Sequence, residues 1–359
     1  MKKNYSFLLL FLVTIGYAQA PAGYYNSATG TGYALKTQLK AIITSGHIDR
    51  GYGSGSSTSN NGLWTAYGTT DRDMGIGFEN DNSLVDMYSE NPTGADPYTF
   101  LYNSSQCGSY SNEGDCYNRE HLVPQAYFEN VAVNPMKNDP HHVIPTDGKV
   151  NGIRDNYPFG KVNVATYTSA NGSKLGPNLN SGYSAGYSST VFEPIDEFKG
   201  DIARCLLYFA TRYEDQMANF YTSATVQSKN MFDGSNGRVF SPTFLNILLT
   251  WNAQDPVSQK EIKRNNAIYA FQGNRNPYID NNDYVTMVWG LPLDVPTYEA
   301  LATIAVYPNP SNNHRINIDT ELELDEIQLI NINGQIMQEI KNPSSQGKTY
   351  TLENLPSGF

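Results

Sequence analysis

The apolar spacing of this chain changes period once, near residue 303, and no other feature limits the fold as much. Before that point apolar residues recur three or four apart, as in helices; after it they alternate, as in strands. Leu35, Leu39, Ile42 and Ile43 share a face between Thr31, a cap, and Gly46, a stop. Asp201 to Tyr221 carries a stripe of Ile202, Cys205, Leu206, Phe209 and Tyr213. Ser241-Pro242 opens a helix to Trp251 that is apolar on nearly every side and therefore read as central. Asp255-Pro256 predicts the start of another, running to Gln272 and stopped by Gly273. Residues 51–62 read as a Gly/Ser/Asn loop, and 63–116 as loops with brief strands. From Thr303 on, Ile316 and Ile318 alternate, Ile327 to Ile332 continue the pattern, and Asn333-Gly334 before Ile336 signals a hairpin.

The first residues have the pattern of a removable export signal. Lys2 and Lys3 precede an apolar run from Phe7 to Ile15, and Ala18-Gln19-Ala20 is a small-x-small cleavage site. The organisation read from the sequence is a signal peptide over 1–20, a main domain over 21–300 and a β module over 303–359. No run is long enough to stay in a bilayer as a helix, so the expected product is secreted or held at the cell surface without stable membrane insertion. Export permits disulfides. Cys107 and Cys116 are close enough in a Gly/Ser/Asn-rich loop to pair, and Cys205, in a helical stripe, is read as a buried free thiol.

Charged residues are 16% of the 359, which excludes a coiled coil or a charge-rich disordered chain. The net charge of −11 argues against a protein that grips nucleic acid through a basic surface. The motifs point the other way.

Tyr117-Asn118-Arg119-Glu120-His121-Leu122-Val123-Pro124 sets a cation, a carboxylate and an imidazole side by side. Neighbours on a strand face opposite sides, so Glu120 can hold a metal while His121 activates a water on the adjoining side. The bland alternative is a surface loop. Downstream, Asp139 to Asn156 holds His141, His142, Asn151 and Arg154; three of the five histidines fall between 121 and 142. Oxygen donors such as Glu and Asn suit Mg²⁺. A set of His121, His141 and His142 would instead suit Zn²⁺ and a different hydrolase.

Arg119-Glu120-His121, His141-His142-Val143-Ile144-Pro145-Thr146-Asp147-Gly148 and Val150-Asn151-Gly152 resemble the endonuclease I family of exported nucleases, of the His-Me finger or ββα-metal class. The resemblance continues through Asp201-Ile202-Ala203-Arg204, Thr211-Arg212-Tyr213, Arg264-Asn265-Asn266 and Gln272 to Asp280, covering most of 30–290. It implies an α+β nuclease domain built on a ββα-metal finger, with the small all-β module following. His121 would be the general base, with Arg119 beside it. Glu120 and Asn151 would hold one Mg²⁺, for which Mn²⁺ or Ca²⁺ could substitute. Arg154, Arg204 and Asn156 would contact the phosphate or substrate, Asn156 being the alternative amide ligand, and His141 would support the finger. The implied reaction is hydrolysis of DNA, and as an open second class RNA, with little sequence preference and 5′-phosphate ends. Asp155 before Asn156 departs from the family pattern, where a small residue is expected. A basic groove would have to come from Lys149, Arg154, Lys161, Lys260, Lys263, Arg264 and Arg275.

The tail has its own resemblance. Val306-Tyr307-Pro308-Asn309-Pro310-Ser311, Asn333-Gly334-Gln335 and Leu355 to Phe359 resemble the C-terminal sorting domain of the type IX secretion system, which implies that machinery as a partner. The family's last strand continues past the Gly-aromatic pair, so a chain ending at Phe359 reads as truncated. The rival from another class is a non-catalytic secreted binding protein with a surface rich in its 26 tyrosines.

Overall fold

The computed structural model describes residues 20–53, 62–75, 79–290, 304–331 and 335–355. Most of the signal segment and the Asn333-Gly334 turn lie outside the described residues. The chain divides into two compact units, Met1–Leu291 and Pro292–Phe359.

The first unit is mixed α+β. Helices α1 (Gly32–Thr44) and α2 (Gly62–Thr70) precede strand β1 (Tyr117–His121), the single-turn α3 (Gln125–Phe128), strand β2 (Val143–Asp147) and helix α4 (Gly148–Arg154). A three-stranded antiparallel sheet follows, β3 (Tyr167–Thr168), β4 (Lys174–Pro177) and β5 (Thr190–Glu193), in that order. Helices α5 (Lys199–Arg212), α6 (Met217–Ser223), α7 (Pro242–Gln254), α8 (Gln259–Gln272), α9 (Pro277–Asp280) and α10 (Asp283–Trp289) complete the unit.

The core gathers on α5, every residue of which is buried, with α1 and α7 packed against it. Helix α1 presents Leu35, Leu39 and Ile43 to this core. The central position expected for the Ser241 helix follows from Phe244, Ile247, Leu248 and Trp251 all facing α5 and its neighbours.

Three expectations about local structure are corrected. The helix read from Asp201 to Tyr221 is two helices, because Tyr213 leaves helical geometry and a 3-10 turn at Glu214–Gln216 precedes α6. Tyr213 donates its hydroxyl to Asp139 Oδ2 at 2.8 Å, while Met217 and Phe220 continue the apolar pattern that hides the break. Helix α8 starts after Ser258, not at Asp255-Pro256: Ser258 and Glu261 form a reciprocal capping box, while the Asp255 N–H closes α7 by donating to the Trp251 carbonyl. Within the stretch read as loops and brief strands, Leu63, Trp64, Ala66 and Tyr67 are buried in helix α2. Gly273 stops α8 at φ +84°, a left-handed position that favours glycine.

Cys107 and Cys116 form a disulfide with Cα atoms 5.7 Å apart. Cys205 is a buried free thiol, pushed up to about 12 by burial.

The second unit is all β. Strands β6 (Ala305–Tyr307), β7 (Ile316–Asp319), β10 (Ser345–Gln346) and β11 (Thr349–Leu352) form one antiparallel sheet, and β8 (Glu326–Ile330) pairs with β9 (Ile336–Lys341). Ile327, Tyr350, Leu352 and Leu355 are its buried centre.

Candidate functional site

Strands β1 and β2 pair antiparallel with Tyr117 opposite Asp147, Glu120 opposite Ile144 and His121 opposite Val143. Helix α4 leaves β2 without a linker, giving a ββα unit. Asp147 makes that junction: its Oδ1 accepts from the Val150 N–H at 2.8 Å, an N-cap bond. Its Oδ2 accepts from the Gly114 N–H, and its own N–H donates to Asp86 Oδ2 at 2.7 Å. One residue therefore ties the finger helix to the disulfide loop and to the segment around Asp86.

Glu120 and His121 face opposite sides of β1, as strand geometry requires, yet both border one cleft of about 360 Å³ at the strand's end. Glu120 is 2% exposed; its Oε1 accepts from the Tyr88 hydroxyl at 2.9 Å and from Arg154 Nη1 at 3.0 Å. Burial raises its carboxyl, and the Arg154 guanidinium and Tyr88 hydroxyl oppose that rise. His121 Nε2 lies 3.2 Å from the Lys137 carbonyl oxygen. Nε2 must carry hydrogen to meet that oxygen, which leaves Nδ1 as the proton acceptor. Burial pushes His121 down to about 3, with His142 acting in the same direction, so the ring is neutral at pH 7.

From α4, Asn151 and Arg154 reach the same cleft, joined by Asn156, Asp155 and Arg119. Asn151 Nδ2 donates to Asn118 Oδ1 at 2.7 Å, which commits its amine end and turns its carbonyl oxygen to other use. Asp155 closes α4 at φ +48° and accepts from Asn156 Nδ2 at 2.8 Å. The donors Glu120 carboxylate and Asn151 amide oxygen, beside an open cleft, are hard oxygens suited to a divalent cation that keeps several waters.

The arginines separate by environment. Arg119 lies with its guanidinium 3.4 Å from the Tyr52 ring centroid and 4.1 Å from that of Trp64, and donates to the Tyr52 and Gly53 carbonyls. The Tyr52 ring also stacks on His121 at 5.9 Å, and the Lys137 amine lies 4.6 Å from it. Arg154 is 1% exposed and donates to Glu120 and to the His121 and Leu122 carbonyls, so it braces the strand end from beneath. The structure does not bring Arg204 to the cleft. It is fully buried on α5, bonded to Glu261, Asn252 and the Asp255 carbonyl.

Most of the residues from which a basic groove would be built are engaged elsewhere: Lys161 with Glu193, Lys260 with Asp201, Arg264 with Asp71 and Arg275 with Asp280. His141 lies behind the site, 3.3 Å from the Asn274 carbonyl oxygen and against the Tyr208 ring. His142 Nε2 meets the Met136 carbonyl oxygen at 2.7 Å. Among the described residues no histidine belongs to a cluster of three His, Cys, Asp or Glu ligand atoms, so nothing favours a zinc set of His121, His141 and His142.

Sequence reasoning missed the tyrosines. Tyr88 and Tyr52 come from loops with no motif. Tyr110 had a signal: Gly148 and Gly152 stand four apart on α4, and the Tyr110 ring fills the groove they leave. A Cβ at Gly152 would meet the Tyr110 hydroxyl at 2.1 Å, and one at Gly148 its ring at 2.7 Å. The disulfide loop thus carries an aromatic ring to the cleft wall.

Comparison with known proteins accords with this geometry. The family model described as Endonuclease I matches residues 31–283, and that of the secretion system C-terminal sorting domain matches 305–359. The chain is 33% identical over 268 residues to an extracellular ribonuclease of Bacillus amyloliquefaciens, covering 74% of this chain and 78% of that protein. It is 32% identical over 268 residues to an extracellular ribonuclease of Bacillus subtilis (strain 168), with the same shares covered. A periplasmic deoxyribonuclease of Aeromonas hydrophila is 27% identical over 147 residues, 41% of this chain and 49% of that protein.

Proposed function

The chain belongs to the endonuclease I family and carries a C-terminal sorting domain of the type IX secretion system; from that premise we propose that it is an exported, Mg²⁺-dependent endonuclease that hydrolyses both RNA and DNA with little sequence preference. The observation that carries this reading is the convergence of Glu120, His121 and Asn151 on one cleft of the ββα unit. The breadth of substrate rests on the relatives: the two bacillus proteins are named ribonucleases and the Aeromonas protein a deoxyribonuclease. A cleft that contacts the phosphodiester backbone would serve both polymers, because they share it.

His121 Nδ1 takes a proton from the attacking water, because Nε2 is committed to the Lys137 carbonyl. Glu120 and Asn151 are the protein's oxygen donors to the divalent cation. When bound, that ion neutralises charge on the phosphate and on the leaving oxygen. Arg154 and Tyr88 oppose the rise that burial gives the Glu120 carboxyl and keep it aimed. Arg119 and Lys137, grouped around Tyr52, place positive charge beside the cleft for the phosphate. Attack in line with the 3′ oxygen leaves the phosphate on the 5′ end. Mn²⁺ or Ca²⁺ would substitute for Mg²⁺ as oxygen-seeking ions.

The test is digestion of plasmid DNA and of ribosomal RNA by the full chain with Mg²⁺, with a chelator, and as His121→Ala. Cleavage of both that is lost with the chelator and falls by about 10²–10⁴ in the variant supports the reading. Product ends that ligate directly support the 5′-phosphate. Cleavage untouched by chelator or by His121→Ala would overturn the assignment.

A further inference from the structure

A second group of carboxylates lies away from the nuclease cleft, in the loop segment between α2 and β1. Glu79, Glu90 and Asp96 have carboxylate oxygens within 4.8 Å of one another, and Glu79 is also shared with Asp73 and Asp81 in a second such group. Clustering alone would mean little, since acidic loops are common. The independent observation concerns Glu90. It is 1% exposed, and both of its carboxylate oxygens are shut off from solvent; among the described residues no N–H or O–H donor reaches them, and they face the carboxylates of Glu79 and Asp96. A buried carboxylate is normally satisfied by donors or by a cation. The nearby amines are engaged: Lys260 lies 2.7 Å from Asp201, and Lys263 donates to the Arg72 and Met74 carbonyls.

We propose that Glu79, Glu90 and Asp96, with Asp73 and Asp81 adjoining, form a structural Ca²⁺ site. Calcium takes six to eight oxygens in irregular geometry and is suited to carboxylates gathered from a loop, whereas Mg²⁺ demands a near-ideal octahedron. The inner wall of the site is Glu90. Its outer side is open, because Glu79 and Asp81 are exposed and Asp96 is half-buried, so waters can complete the shell. With no cation there, burial and the neighbouring Asp96 and Glu79 push Glu90 up to about 9, so it holds a proton instead.

The position gives the site a role. Two residues before Glu90, Tyr88 donates to Glu120, and four before it Asp86 receives the Asp147 N–H that starts α4. The Glu90 carbonyl also accepts from Asn171. A bound Ca²⁺ fastens the segment that braces the nuclease cleft, without itself touching substrate. This inference stands apart from the proposed nuclease reaction.

The test measures Ca²⁺ stoichiometry by calorimetry, and thermal midpoint with Ca²⁺ or EDTA, on the full chain. Three variants are compared: Glu90→Gln, Asp96→Asn and, to empty the nuclease cleft of metal, Glu120→Gln. The expected result is a midpoint about 5 °C higher in saturating Ca²⁺. A rise is kept in Glu120→Gln and is lost when Glu90→Gln or Asp96→Asn is added to it, and each added substitution removes one bound Ca²⁺. In EDTA, Glu90→Gln should melt close to the parent, because without a cation a neutral amide replaces a carboxyl that already holds a proton. If Glu90→Gln fails to fold, the same criteria apply to Asp96→Asn. No rise in Glu120→Gln, or a rise in that variant that survives addition of Glu90→Gln or Asp96→Asn, overturns the site. A rise lost only in Glu120→Gln also overturns it, and places the Ca²⁺ in the nuclease cleft.

Discussion

Tyr88 donates its hydroxyl to Glu120 Oε1 at 2.9 Å, on the oxygen that also receives Arg154. Both donors are buried, so the carboxyl is held in one orientation, and both oppose the upward push that burial gives it. Tyr88→Phe removes one donor and little volume. Loss of such a supporting bond typically weakens metal affinity or activity about 10–100-fold. The expected outcome is a Mg²⁺ activation curve displaced to higher concentration by about that factor, with maximal rate partly recovered at saturating Mg²⁺. An unchanged activation curve would count against Glu120 as the metal's carboxylate.

Arg154 and Arg119 predict different phenotypes despite both bordering the cleft. Arg154→Ala leaves Glu120 without its buried cation and two carbonyls without donors, and should destabilise the chain by about 3–5 kcal/mol in urea unfolding. Arg119 is half-buried between two aromatic rings. Arg119→Ala should lose about 1 kcal/mol of stability while lowering nuclease activity more than tenfold, as expected of a charge facing phosphate. Equal stability losses would show that both are structural.

Gly152→Ala tests the seat of Tyr110. Alanine favours helix over glycine by about 1 kcal/mol, so thermal stability should change little. The new methyl group displaces the Tyr110 ring from the cleft wall. Displacements near 1 Å can cost about 10²-fold in rate, so the expected result is a loss of activity at nearly constant melting temperature. Tyr110→Ala should mimic it. Full activity in both would remove Tyr110 from the substrate path.

His141 supplies a pH test away from the proposed metal donors. Burial pushes it down to about 3, against an ordinary value of 6.5, although Asp139 pulls it upward. The unfolded chain therefore binds a proton that the folded chain refuses between these values. The stability His141 contributes is present above pH 6.5 and is lost as pH falls towards 3. Asp86 and Asp255, both raised to about 7 mainly by burial, act in the opposite sense over the same range. The measurable quantity is the difference between parent and His141→Gln. Melting curves from pH 7 to 4 should converge as the pH falls. Parallel curves would mean that His141 charges freely in the fold.

Much of the architecture was legible from local pattern. The Ser241-Pro242 start, the Leu35/Leu39/Ile43 face and the Gly273 stop depend on neighbours within a turn or two, so the sequence displays them. The errors arose where a distant group intervened. The bend after Arg212 goes with a Tyr213 hydroxyl bonded to Asp139, 74 residues away. Helix α2 escaped notice because its apolar residues sit in a stretch otherwise rich in Gly, Asn and Asp.

For the site, the sequence determined that Arg119, Glu120 and His121 are adjacent, and hence that imidazole and carboxylate face opposite sides of one strand. It also placed Asn151 and Arg154 a few residues apart, near enough to share one short helix. Only the tertiary structure decided what each group does there. Arg204 and Arg154 read alike as cations, yet one is locked to Glu261 far from the cleft and the other lies under Glu120. The tyrosines at positions 52, 88 and 110 carry no local mark of their role. A charge or hydroxyl acquires its function from burial and from the partner it meets, and both are set by contacts between segments tens of residues apart, which no short window of sequence contains.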